Sequence, residues 1–332
     1  MKNTINREQQ LAIDAATALK AIARRSDIKM QVEHQPQLYA LLQRAAARYV
    51  TGEQRANALE VAELLHGEGY AVSLEYIGEN TVSRADCQQA AAELMGVLTD
   101  LGEQGIGGRV SFDLSHIGLL VDNELALQHV LQLGELSQMY GIELFISMEE
   151  SAKTAAILAI YRQAVALYPL IGITLQAHLH RTWEDASRLL AQDIRVRFVK
   201  GAYEEPDTLA LSRSAELDDR YVQLFELAVE RGCRISLATH DELLIDRLLL
   251  CSWEGAASVE LELLYGIRPE LGVRLREQGY PVRVYLTYGQ EWYLYLCHRI
   301  AEYPPNLYQA LIDVVGGQEQ APVMQYRLMK QH

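Results

Sequence analysis

Apolar and polar positions recur along this chain with two different periods, and the change falls near residue 70. Over 8–25, Leu11, Ile13, Ala16, Leu19 and Ile22 recur at roughly helical spacing, and Ser26-Asp27 offers a stop. Helical spacing returns over 38–49 and 55–65, the second closed by His66-Gly67-Glu68-Gly69. Three packing helices with no chemistry of their own are expected here. Beyond them, short β-prone segments fall at 71–76, 109–114, 143–148, 172–176, 195–199, 234–237, 258–263 and 282–286. Amphipathic stretches at 90–101, 123–140, 151–168, 183–192, 220–231, 241–250 and 269–278 separate the strands, and 290–303 follows the last.

Eight strands alternating with eight helices is the count of a (β/α)8 barrel. An open doubly wound sheet would want G-x-G-x-x-G after an early strand, whereas Gly105-Ile106-Gly107-Gly108 precedes one. The expected chain is α/β: an N-terminal helical arm over 1–70, a TIM-like (β/α)8 barrel over 71–315 and a C-terminal tail over 316–332.

Composition narrows the function classes. The 332 residues are 49% hydrophobic and 22% charged, as in a folded soluble protein. A net charge of −14 argues against a non-specific nucleic-acid binder and a basic membrane-surface patch. Cys87, Cys233, Cys251 and Cys297 form no C-x-x-C pairing, so neither a zinc site nor a disulfide framework is indicated. Residues 1–10 are polar, and no apolar run approaches a membrane span. A cytoplasmic protein with reduced thiols is expected.

In a barrel, the chemistry gathers at the C-terminal strand ends. Those ends carry Glu79, Asp113 with His116, Ser147 with Glu149, Gln176 with His178 and His180, Arg197 with Lys200, Thr239-His240-Asp241, Glu262 and Tyr285. The stretch R-V-R-F-V-K-G-A-Y at 195–203 reads as a strand that ends by presenting Arg197 and Lys200 beside Gly201. A fixed guanidinium fork next to a glycine suits an anionic or electron-accepting ligand, and the plain alternative is an edge strand with solvated charges. Two further readings stay open. His178-x-His180 would put two imidazoles on one face for a metal hydrolase, although amidohydrolase-type barrels carry that pair on the first strand. Gln176, Arg197, Gly201, Thr239 and His240 would suit the edge of a flat heteroaromatic cofactor such as a flavin.

Longer motifs go further: I-G-I-T-L-Q-A-H-L-H-R-T at 171–182, R-V-R-F-V-K-G-A-Y-E-E-P at 195–206, A-T-H-D at 238–241, E-L-E-L-L-Y-G-I-R-P at 260–269, and the run at 282–306 that begins V-R-V-Y-L-T-Y-G-Q-E-W. With these the chain resembles the proline dehydrogenase family, flavoproteins on a (β/α)8 barrel, from about residue 38 to residue 315. The resemblance implies FAD contacts at Met148, Gln176, Arg197, Val199, Gly201, Ala202, Tyr203, Thr239, His240 and Glu302. It implies a catalytic set of Arg197, Asp113, Ser147, Tyr285 and Tyr295, with His298, Arg299 and Leu264 binding substrate. The implied reaction moves a hydride from C5 of L-proline to the flavin, giving 1-pyrroline-5-carboxylate, and a quinone or another redox partner then takes the electrons. Members of this family also occur in antibiotic pathways, carbapenem biosynthesis among them.

The substrate side departs from the family pattern. Asp113-Leu114-Ser115 stands where the family has K-L-S, Ser147 where it has Asp, and His298-Arg299 where it has Arg-Arg. The family's three-cation carboxylate cradle is thereby reduced to Arg299 and a titratable His298. Two lost charge-assisted hydrogen bonds, at roughly 1.5–3 kcal/mol each, would weaken carboxylate binding a hundredfold or more. A proline-like cyclic amine held less by its carboxylate is the expected substrate. An Asp113–His298 pair in a working proline site, a flavin-binding member that has lost catalysis, and the barrel metal hydrolase are the alternatives.

Overall fold

The structure is a computed structural model that describes residues 7–23, 25–302, 305–316 and 322–327. Its strands are β1 Ala71–Tyr76, β2 Arg109–Phe112, β3 Glu143–Ile146, β4 Ile171–Gln176, β5 Arg195–Val199, β6 Arg234–Ala238, β7 Ser258–Leu264 and β8 Val282–Tyr288. All pair in parallel and in chain order, and β8 closes on β1 with Glu75 opposite Thr287. Closure leaves no edge strand, so the reading of 195–199 as a solvated edge is corrected.

The helices are α1 Arg7–Ala23, α2 Ser26–Glu33, α3 Pro36–Ala46, α4 Arg55–Gly67, α5 Arg84–Glu103, α6 Asn123–Tyr140, α7 Ser151–Val165, α8 Thr182–Leu189, α9 Ala215–Glu230, α10 Glu242–Leu250, α11 Pro269–Glu277, α12 Trp292–Glu302 and α13 Pro305–Gly316. Side-chain caps start several of them. Ser83, Asp122, Ser214 and Asp241 accept the first free backbone N–H groups of α5, α6, α9 and α10. Among the described residues four helices, not three, precede β1. Ser26-Asp27 opens α2 rather than stopping α1, and Asp27 sits in its first turn, where a carboxylate favours the helix dipole. Pro36 then starts α3 at a position where its missing N–H costs nothing. The end of the expected 290–303 helix, Tyr303, lies outside the described residues, as do 1–6, 317–321 and 328–332.

Inside, the barrel departs from the usual aliphatic layers. Ser73, Ser111, Thr174, Ser236, Arg109, Arg197 and Glu262 are all buried. Arg109 pairs with Glu143 at 2.9 Å, Glu260 at 2.8 Å and Glu262 at 2.9 Å. Arg195 joins through Glu143 and Arg283 through Glu260, each at 2.8 Å. Buried charges persist only when matched, and here each guanidinium has its carboxylate. Phe145 fills the centre, with the Arg109 guanidinium 3.8 Å from its ring centroid. Gly172 makes room for it, since a Cβ there would come within 2.6 Å of that ring.

The apolar positions between the inward ones, such as Val72, Leu74, Val110 and Phe112, face the helices in one core that also takes in Leu59 and Leu65 of α4. Val323 and Tyr326 of the expected tail belong to it too, on a 3-10 helix at Pro322–Tyr326. A second core joins α2 and α3 to α12 and α13 through Val32, Ala45, Trp292, Leu296 and Ala310.

Candidate active site at the barrel mouth

One cavity of about 1030 Å³ opens at the C-terminal strand ends, lined by every residue that the family resemblance assigned, from Asp113 and Ser147 to His298, Arg299 and Glu302, whereas His116, Glu149, His178 and His180 of the strand-end set do not line it. Arg197 does not end β5, however. It is the third of five residues, 4% exposed, and it points down into the barrel. Its Nε and Nη2 donate to the two oxygens of Glu262, both at 2.8 Å, and Nη2 also donates to Ser111 Oγ at 2.8 Å. Strand alternation puts residue 197 on the inward face, which its distance from Gly201 hides. Lys200 does follow the strand end, but Asp218 and Asp241 hold it at 2.5 and 2.6 Å.

Gly201 has φ +111°, and a Cβ there would sit 1.6 Å from His178 Nδ1. Only glycine lets Ala202 and Tyr203 follow in this position against the cavity. The H-x-H pair does not converge. The His178 ring meets Lys200 O and the exposed His180 ring meets Asp207 O, both at 3.0 Å, so the two imidazoles fasten the loop after β5.

Two side chains arrive with hydrogen-bonding atoms left over. Gln176, 2% exposed, donates from Nε2 to Glu149 O at 2.7 Å, and its Oε1 has no partner. His240 Nε2 accepts from Leu264 N at 2.9 Å, which fixes a neutral ring with its proton on Nδ1, and that atom too has no partner. Burial holds the His240 pKa down at about 3, with Arg299 and Arg268 adding to the effect. The cavity therefore offers an amide acceptor and an imidazole donor that nothing among the described residues satisfies.

On the other side stand the tyrosines and carboxylates. Tyr285 is buried and donates to Glu75, whose pKa is pushed up to about 7 by burial against the pull of that hydroxyl and of Arg197 and Arg299. Ser147 donates to Asp113. Burial raises Asp113 well above the usual carboxylate range, and Glu149, Glu75 and Glu79 add to it. Arg299 is bonded to Glu302 at 2.5 Å, with its guanidinium 4.9 Å from the Tyr295 ring centroid.

Glu75 was missed in the sequence, although a carboxylate two residues after Ser73 shares its inward face of β1, and that parity was a readable signal. Thr17 and Ala21 of α1 also line the cavity, so the first helix is more than packing. No local signal marks them, because their place depends on where α1 lies against α12.

A closed parallel barrel with a polar cavity at its C-terminal strand ends defines a (β/α)8-barrel enzyme. A family model described as "Proline dehydrogenase" matches residues 58–306. Proline dehydrogenase 1 of Bacillus subtilis is 32% identical over 264 residues, covering 79% of this chain and 87% of the relative. Proline dehydrogenase of Deinococcus radiodurans is 34% identical over 271 residues, with the same coverage. In fold, the chain superimposes with a TM-score of 0.71 on proline utilization A from Bdellovibrio bacteriovorus inactivated by N-propargylglycine. That match is 18% identical and covers 96% of this chain but 41% of the longer polypeptide. The chain belongs to the proline dehydrogenase family, a family of oxidoreductases. No helix among the described residues is long and apolar enough to cross a membrane.

Proposed function

We propose that this chain binds FAD at the barrel mouth and oxidises L-proline, or a proline-like cyclic amine, to 1-pyrroline-5-carboxylate or its analogue. The observation that carries the cofactor is the unmatched pair, Gln176 Oε1 as acceptor and His240 Nδ1 as donor, in one cavity. The edge of a flavin ring presents an N–H between carbonyl groups and so supplies both partners. Met148, Val199 and Thr239 would wall the same ring, and Gly201, Ala202 and Tyr203 give it a backbone cradle that a larger residue at 201 would close. When bound, FAD accepts the two electrons that leave with a substrate hydride.

The remaining chemistry falls to this chain's side chains. Tyr285 and Tyr295 present aromatic walls that hold a five-membered ring in place, and Leu264 adds an apolar contact. Arg299 and His298 offer donors for a carboxyl group, with Glu302 already competing for Arg299. Hydride loss from C5 and proton loss from the ring nitrogen leave a C5–N double bond. A quinone or another redox partner reoxidises the cofactor, and a cytoplasmic biosynthetic setting such as antibiotic assembly suits the altered cradle. The test is direct. Protein purified with added FAD shows bound flavin bands, and anaerobic L-proline or prolinamide bleaches them with formation of the cyclic imine. A protein that retains no flavin overturns the reading.

A further inference from the structure

Resting on that reading, the cavity's charges indicate what kind of amine it takes. Three of its cations already face carboxylates. Arg197 faces Glu262 at 2.8 Å, Lys200 faces Asp218 and Asp241, and Arg299 faces Glu302. Arg213 is exposed at the rim and donates to Gly201 O. Glu75 and Asp113 are different. They stand at the mouth end of neighbouring strands: Glu75 lies opposite Ser111 in the pairing of β1 with β2, and Asp113, the first residue past the end of β2, lines the cavity beside it. Their hydrogen bonds come from neutral hydroxyls, Tyr285 for Glu75 and Ser147 for Asp113. Among the described residues neither carboxylate is in an ion pair, and Arg197 and Arg299 reach Glu75 only through the longer-range field.

Two carboxylates drawn together at a cavity wall without a cation are costly to ionise, which is the sense of both raised pKa values. A ligand ammonium placed between them removes that cost. L-Proline brings an ammonium and a carboxylate together, so it leaves the local excess of negative charge in place and sets an anion near Asp113. A pyrrolidine without a carboxyl, or with the carboxyl masked, brings the cation alone. We propose that Glu75 and Asp113 hold the ring ammonium of the substrate between them, and that the cavity selects cyclic secondary amines whose carboxyl is absent or masked as an amide.

The experiment uses the full chain loaded with FAD. Pyrrolidine, L-prolinamide and L-proline are titrated by calorimetry, and flavin bleaching is followed anaerobically alongside. The two carboxylate-free amines bind about tenfold tighter than L-proline or more, the effect of one charge-assisted interaction. Asp113→Asn narrows that preference, Asp113→Lys turns it towards L-proline, and Glu75→Gln weakens all three ligands. Circular dichroism and retained flavin report that the variants fold, and the ranking in the parent alone decides if they do not. Preference of the parent for L-proline overturns the inference while leaving the proposed function intact. Tight prolinamide binding without bleaching supports the amine site and sinks the redox reading. Failure of every amine to bind sinks both.

Discussion

Arg197 meets two demands at once, since it lines the cavity and also closes the buried ionic network beneath it. The family resemblance gives Arg197 a flavin contact, and its burial against Glu262 adds a structural role. Arg197→Met leaves Glu262 buried with Arg109 as its remaining cation, and removing one partner of a buried pair costs about 3–5 kcal/mol. Urea denaturation of Arg197→Met is expected to show that loss. The double variant Arg197→Met, Glu262→Met recovers part of it, because Arg109, the other cation on Glu262, keeps Glu143 and Glu260. Reduction of the proposed flavin is expected to be slow in both variants. An unchanged unfolding midpoint for the single variant would remove Arg197 from the network.

At the scale of elements, the loops and helices beyond the barrel carry testable work. The 3-10 helix at Pro322–Tyr326 fastens the end of β7, where the Tyr326 hydroxyl accepts from Gly266 N at 2.9 Å and its ring stacks on Tyr265. Tyr326→Phe leaves that buried N–H without a partner and is expected to cost about 1–3 kcal/mol in urea denaturation. The helix α1 gives the complementary case. Ala21 faces the cavity and is exposed, so Ala21→Trp raises KM for the amine with no shift in the unfolding midpoint beyond about 0.5 kcal/mol. Equal KM values in parent and variant would place α1 outside the path of the ligand. Element by element, the strands were legible because alternation and β-branched runs are local. Their ends were less so: β2 stops at Phe112 and β3 at Ile146, each two residues short of expectation, leaving Asp113 and Ser147 as the first residues past the strand ends.

For the whole molecule, the pKa shifts set opposite slopes of stability with pH. Burial keeps His116 at about 4 and His240 at about 3, and Arg197 and Arg109 hold Glu262 at about 2 despite its burial. Groups with lowered folded pKa values stabilise the fold above their ordinary values and lose that contribution as pH falls, here from about 6.5 downwards for the histidines and from about 4.5 for Glu262. Glu75, raised to about 7, runs the other way and costs stability as pH rises from about 4.5. Urea midpoints are therefore expected to fall on acidification below about pH 6. Glu75→Gln gains on the parent between about pH 5 and about pH 8, and parallel curves for the two would show that Glu75 titrates normally. The sequence by itself determined the (β/α)8 architecture, the family and most of the residues that line the cavity, Glu75, Thr17 and Ala21 excepted, since periodicity, strand-end position and long motifs are properties of the chain order. Tertiary structure alone decided which charges are matched. Arg197 and Glu262, 65 residues apart, meet only because the barrel closes, and Glu75 and Asp113 face the cavity together only because β1 and β2 are neighbours in register. Charge pairing depends on distance in space, and no local pattern of residues encodes it.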